Sequence, residues 1–253
     1  MTEDLVIVVA GLWAGAINVL VGSGALVTFP TLLFLGYPPL VANVSNNIGV
    51  VAGGLSGIHG YRRELRPNRP FLLRLVPASV LGGGTGAFLL FVLPSESFET
   101  IVPVLVGLGV LMVVIGPAVQ RRSSSQPVAE GRHDVGIALQ AGVLVLGIYG
   151  GYFGAAQGVL LTGLMSLFLA EHLQRITAIK NVLATSVNLT AAVAFVVFAQ
   201  HYIDWKVVGL IAVGSVVGAQ LGARYGRRLS PAALRALIVV IGLAAIVKLV
   251  FFD

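Results

Sequence analysis

The 253-residue chain contains no cysteine, which excludes disulfides, thiolate metal sites and cysteine nucleophiles. Charge is nearly as scarce: Asp, Glu, Lys and Arg make up 10% of the residues, where a soluble domain carries roughly 25%. None of the 10 Asp and Glu residues falls in the interior of an apolar run. That argues against an intramembrane proton relay built on carboxylates and against a carboxylate metal cage. Nothing in the composition calls for a cofactor or a metal. The net charge is +6, but the Lys and Arg residues lie in short clusters between apolar runs and form no basic face suited to nucleic acid.

What is present is apolar. Hydrophobic residues make up 57% of the chain and the mean hydropathy is +0.96, so too little polar side chain is left to cover a globule. The sequence reads as an all-α polytopic membrane protein. Its start, "MTEDLVIVV", has an acidic flank where a signal peptide has a basic one, so it reads as the first membrane segment.

A span needs ~20 apolar residues. Residues 39–60, 71–93, 98–119, 173–200, 205–223 and 231–252 each satisfy this as one helix. Two runs, 5–35 and 135–169, are too long for one helix and are broken at Gly22-Ser23-Gly24 and around Gly154 to Gly158. The connections 61–70, 121–134, 171–175 and 224–230 are basic or mixed, whereas 2–4, 37–39, 94–99 and 200–204 contain no Lys or Arg. Positive loops stay inside, which puts the first set in the cytoplasm and both termini outside the cytoplasmic membrane. Lys206 and Lys248 sit just within helix ends on the outer side, where they can snorkel. Each long run then begins and ends on one side, so it folds as a hairpin of two helical arms with a Gly-rich tip. Irregular backbone at that depth is tolerated where protein or a water-filled cavity surrounds it.

The halves read alike: a hairpin, then three spanning helices, starting from opposite sides. This is the plan of an inverted repeat, with a first repeat at 1–120, a linker at 121–134 and a second repeat at 135–253. Local sequence agrees. "GLWAG" (11–15) matches "GIYGG" (147–151), and "SGALVT" (23–28) matches "QGVLLT" (157–162). Asn43, Asn46 and Asn47 match Thr177, Lys180 and Asn181 at the same offset.

The intramembrane polar residues gather in the two hairpins and in the helix after each. Asn43, Asn46 and Asn47 share one helix face, and Thr177, Lys180 and Asn181 share the matching face. Such residues serve helix packing, with Asn bonding across an interface, or they line a cavity shared by the two repeats. Lys180, ~10 Å along its helix, either snorkels to the interface or is a buried cation that attracts an anion. Ser23, between Gly22 and Gly24, and Gln157, before Gly158, occupy matching tip positions. A helix that starts after a tip aims its free N–H groups and positive dipole end back at the tip. Two such tips facing each other would make an anion site, with candidate contacts from Ser23, Gly22, Gly24, Asn43, Asn46, Asn47, Gln157, Gly158, Thr177, Lys180 and Asn181.

Residues 15–65, "GAINVLVGSGALVTFPTLLFLGYPPLVANVSNNIGVVAGGLSGIHGYRREL", resemble the first repeat of the TauE/SafE sulfite exporter family, also called the toluene sulfonate uptake permease family. "GIYGGYFGAAQGVLL" is similar to its second repeat, and the likeness extends over essentially the whole chain. The second tip departs from the Gly-rich pattern by carrying Ala155, Ala156 and Gln157. The resemblance implies a permease for sulfite, thiosulfate, a sulfonate or another small organic anion. Proton or ion coupling, direction of transport and oligomeric state stay open. Two rivals stand beside this reading: a passive anion channel, and an intramembrane serine protease with Ser23 as nucleophile and His59 as base.

Overall fold

The computed structural model describes residues 2–65, 69–124, 136–169, 171–225 and 230–251. Among these there is no strand. The helices are α1 (Thr2–Leu20), α2 (Ala25–Phe34), α3 (Pro39–Gly60), α4 (Arg62–Leu65), α5 (Arg69–Val92), α6 (Ser95–Ser124), α7 (Ile137–Tyr152), α8 (Gln157–Phe168), α9 (Leu173–Phe198), α10 (Trp205–Tyr225) and α11 (Pro231–Phe251). A 3₁₀ turn, Gln200–Tyr202, links α9 to α10. The expected linker at 121–134 begins inside α6, and its residues 125–134 lie outside the described ones.

Among the described residues six helices, α1, α5, α6, α9, α10 and α11, are long and apolar enough to cross a membrane; α3, expected to be a span, is long enough at 22 residues, but its Asn, Ser and Gly residues leave it less apolar than these six. The outward faces of the six are apolar: Leu73, Phe88, Val104, Val193, Val213 and Val240 are all exposed. A water-facing surface would not carry such a belt, and a bilayer-facing one requires it.

Both long runs are helix pairs broken near their Gly-rich centres. At 19 and 10 residues, α1 and α2 measure ~28 and ~15 Å. At 16 and 12 residues, α7 and α8 measure ~24 and ~18 Å. The end of α2 is a Schellman motif, with Gly36 N–H on Leu33 O and Tyr37 N–H on Leu32 O, and Gly36 at φ 86°.

Packing interlocks the two halves. α1 lies along α10 and α7 lies along α5. α3 packs on α9 and α10, and α9 packs on α5 as well. α6 meets α8 and α11, and α2 meets α11. Glycine permits the closest of these approaches: a Cβ on Gly218 of α10 would stand 1.9 Å from Leu12 O of α1, and one on Gly53 of α3 would stand 2.7 Å from the Ser215 Cβ of α10. The Gly stripe of α3 is therefore a packing surface.

Contacts between chain segments also fix which ends share a face. Asp4 pairs with Lys206 at 2.6 Å, and the Lys248 ammonium bonds the Leu33 carbonyl and lies 5.9 Å over the Phe34 ring. Asp204 N–H, just before α10, donates to Ser45 Oγ in the second turn of α3, the helix that follows α2, so the starts of α1 and α10 and the ends of α2 and α11 lie on one face. On the other, α4 packs against α9, and a Cβ on Gly60 would stand 2.7 Å from Ala223. This grouping is the one that the loop charges imply. The structure gives both lysines partners: Lys206 is held in an ion pair, and Lys248 caps α2.

Candidate functional site

The tips of the two hairpins touch. Gly158 N–H donates to Gly22 O at 3.0 Å, and a Cβ on Gly22 would stand 2.6 Å from both Gly158 Cα and Gly158 C. Laid end to end, α2 and α8 measure ~33 Å, about one hydrocarbon thickness. They start from the contact and run apart, so two helix N-termini meet inside the molecule. No backbone carbonyl among the described residues accepts from the N–H of Gly24, Ala25 or Gln157.

Side chains at the crossing are buried and short of partners. Ser23 is 1% exposed and Gln157 2%, yet Ser23 Oγ and Gln157 Nε2 have no hydrogen-bond partner. Asn47 is 5% exposed, and its Oδ1 is also unpaired. Buried polar atoms are almost always satisfied, and an unpaired one in a native structure needs an explanation, a water or an ion among them. These three belong to two tips and the helix packed beside them.

The other candidates complete helix ends. The Lys180 ammonium of α9 donates to Asn18 O at 2.8 Å and Val19 O at 3.3 Å. Asn181 Nδ2 donates to Val19 O at 3.4 Å. Both carbonyls belong to the last turn of α1, whose negative dipole end a cation suits. Lys180 is 1% exposed, so it does not snorkel. The ion pairs described, Arg175 with Glu171 and Asp4 with Lys206, leave Lys180 without a carboxylate. Across the repeat, Asn43 Nδ2 of α3 donates to Tyr152 O at the end of α7 at 3.1 Å. Asn46 Oδ1 accepts from the Thr28 hydroxyl of α2. Thr177 is buried on α9, almost a turn before Lys180.

The family described as sulfite exporter TauE/SafE matches residues 7–249. The chain belongs to the TauE/SafE family. A probable membrane transporter protein of Haemophilus influenzae is 26% identical over 244 residues, covering 95% of this chain and 92% of the relative. A second, ORF9 of a Sinorhizobium species, is 27% identical over 245 residues, covering 95% and 90%. A third, YfcA of Escherichia coli, is 26% identical over 244 residues, covering 94% and 86%. This TauE/SafE chain is accordingly a multi-pass membrane protein of the transporter type.

The protease pair does not form. Ser23 Oγ has no partner, while His59 Nε2 lies 2.6 Å from Arg62 at the exposed end of α3. Sequence reasoning missed Thr28, Tyr149 and Phe153. Tyr149 donates its hydroxyl to Ala155 O at 2.7 Å, stapling the second tip. Phe153 stacks edge-on with Phe29 at 5.3 Å, and Phe98 packs on Tyr152 at 5.7 Å. The apolar character of these rings gave no signal in a chain that is apolar throughout.

Proposed function

We propose that this protein is a secondary transporter that moves a small sulfur oxyanion of the sulfite, sulfonate or thiosulfate class across the cytoplasmic membrane. The anion sits at the crossing of the two tips. One observation carries the reading: two helix N-termini meet where Ser23 Oγ and Gln157 Nε2 are buried and unpaired. Hydroxyl, amide and backbone N–H donors at positive dipole ends are anion ligands. Lys180, one helix turn from the first tip through its Asn18 and Val19 bonds, adds a positive charge with no carboxylate beside it. An anion at the crossing offsets that buried charge.

Alternating access follows from an inverted repeat of residues 1–120 and 135–253. The helix pairs support this: exchanging the halves turns α1 on α10 into α7 on α5, α3 on α10 into α9 on α5, and α2 on α11 into α8 on α6, all of which occur.

The test is uptake of radiolabelled sulfite, and of a sulfonate and thiosulfate, into liposomes holding the purified protein. Saturable uptake that falls in Ser23→Ala and Gln157→Ala is the expected result. Linear, unsaturating flux would mark a channel, and no uptake of any of the three would overturn the substrate class.

A further inference from the structure

We propose that Lys180 is the proton carrier of the transport cycle: its side chain is a neutral amine when the crossing is empty and takes up one proton with each anion. The inference rests on the transport reading and gives that reading its driving ion.

The number of hydrogen-bond partners carries the argument. Lys180 Nζ is held by two acceptors, Asn18 O at 2.8 Å and Val19 O at 3.3 Å. A neutral amine has two N–H groups, so these carbonyls satisfy it. An ammonium has three, and no third acceptor bonds Nζ among the described residues. Protonation therefore adds a positive charge and an unpartnered donor together, at a side chain only 1% exposed. The carboxyl end of α1 meets part of that charge, but a helix end amounts to roughly half an elementary charge. An anion at the crossing supplies the rest.

The elements around α9 offer no other counter-charge. α9 packs against α1, α3, α4, α5, α7 and α8 and touches the 3₁₀ turn at its far end. α8 has no titratable side chain. The carboxylates of α1, Glu3 and Asp4, lie in its first turn, at the opposite end from Asn18. α3 brings His59, which lies 2.6 Å from Arg62. α4 brings Arg62, Arg63 and Glu64, and α5 brings Arg69 and Arg74. α7 brings Tyr149, bonded to Ala155 O, and Tyr152. The 3₁₀ turn brings His201 and Tyr202. His172 precedes α9, and Arg175 at its start is paired with Glu171. No described hydrogen bond or ion pair joins Lys180 to any of these groups.

The coupling follows by linkage. Water on the side to which the crossing is open gives a proton to the amine lone pair, forming one N–H bond. The proton returns to water on the other side when the anion leaves. Proton and anion each raise the affinity for the other. A monovalent sulfonate then crosses with no net charge. A carrier of this kind needs no carboxylate relay, in keeping with the lack of Asp and Glu inside the apolar runs.

The experiment is calorimetric titration of the purified full chain with thiosulfate and with methanesulfonate, in buffers of different ionisation enthalpy. Neither anion carries a proton near neutral pH, so any proton taken up belongs to the protein. Uptake approaching one proton per anion is expected. The protonated form is the one that binds, so affinity should fall as pH rises, by up to about tenfold per pH unit. Lys180→Arg keeps the charge but cannot lose its proton, so it should bind with no proton uptake and a flat pH profile. Lys180→Met should bind more weakly, and its profile should be equally flat. Thermal melting identifies a variant that fails to fold, and the other then decides. In liposomes, an inward proton gradient should drive sulfonate uptake by the wild type and not by Lys180→Arg. Proton uptake that persists in the Lys180 variants overturns the proposal and places the proton on another group. Anion binding with no proton uptake at any pH overturns it alone and leaves the transport reading standing. No binding of sulfite, thiosulfate or methanesulfonate sinks both.

Discussion

Replacing Gly158 or Gly22 by alanine tests whether the hairpin tips meet as described. A Cβ on Gly158 would stand 2.5 Å from Gly22 Cα and 2.7 Å from Gly22 O. Carbon atoms are comfortable at ~3.5 Å, so the tips would have to part by about 1 Å. Both neighbours are backbone, and no rotamer change relieves them. Such overpacking costs ~1–3 kcal/mol. Parting the tips also breaks the 3.0 Å bond from Gly158 N–H to Gly22 O, a further ~0.5–1.5 kcal/mol. Gly22→Ala meets the same wall, at 2.6 Å, and adds the left-handed term. Its φ of 92° costs an L-residue roughly 1–2 kcal/mol more.

The order of stability is therefore wild type, then Gly158→Ala, then Gly22→Ala. Gly163→Ala in α8 and Gly209→Ala in α10 are the controls, because nothing lies within 4 Å of a Cβ at either position. Alanine there should be neutral or stabilising, by ~0.5–1 kcal/mol in a helix interior. Thermal melting of the detergent-purified proteins reads all four. If the tip variants melt with the controls, the crossing is not a contact, and the argument for an anion site between two N-termini fails with it.

Lys180→Met keeps the buried stem and removes the ammonium, so Asn18 O loses its donor at a cost of ~1–3 kcal/mol. It should also raise the KM for the anion, since the positive charge one helix turn from the crossing is removed. A lower melting temperature with unchanged KM would make Lys180 a helix cap alone. Phe98→Ala empties a site 1% exposed, beside Phe153 and Tyr152, and should destabilise by ~3–5 kcal/mol; a loss under about 1 kcal/mol would show that the ring cluster can collapse. With no native cysteine, single cysteines at positions 37 and 203 should label from one side of the membrane and those at 63 and 172 from the other. Labelling of 37 and 63 from the same side would break the arrangement of every hairpin.

The helices were largely legible because apolar length and Pro or Gly punctuation act locally. α3 starts at Pro39 and ends at Gly60 as the sequence predicts, and both long runs break at their Gly-rich centres. Loop charge grouped the ends correctly. The site was legible only in its composition. Lys180 was readable as buried or snorkelling, but its partners are backbone carbonyls 162 and 161 residues away, and a carbonyl carries no signature in a sequence. Lys248 reads as an interfacial residue, because the Leu33 carbonyl that it caps is equally invisible. Thr28 and Asn46 meet only through the packing of α2 on α3.

The caps also explain why the halves interlock. A helix that ends inside a membrane leaves carbonyls with no water to satisfy them. The chain meets that demand reciprocally: α9 of the second half finishes α1, and α3 of the first half finishes α7. Neither hairpin is complete without the opposite half. A movement of α3 or α9 must then carry the opposite tip with it or break a buried bond to it. The first course is the cheaper, because an orphaned carbonyl in an apolar interior costs more than a rigid displacement of a satisfied one. The same donors that close the helix ends thus tie the two tips to the two helices that bear the polar faces. A ligand that draws the tips together acts on both halves at once.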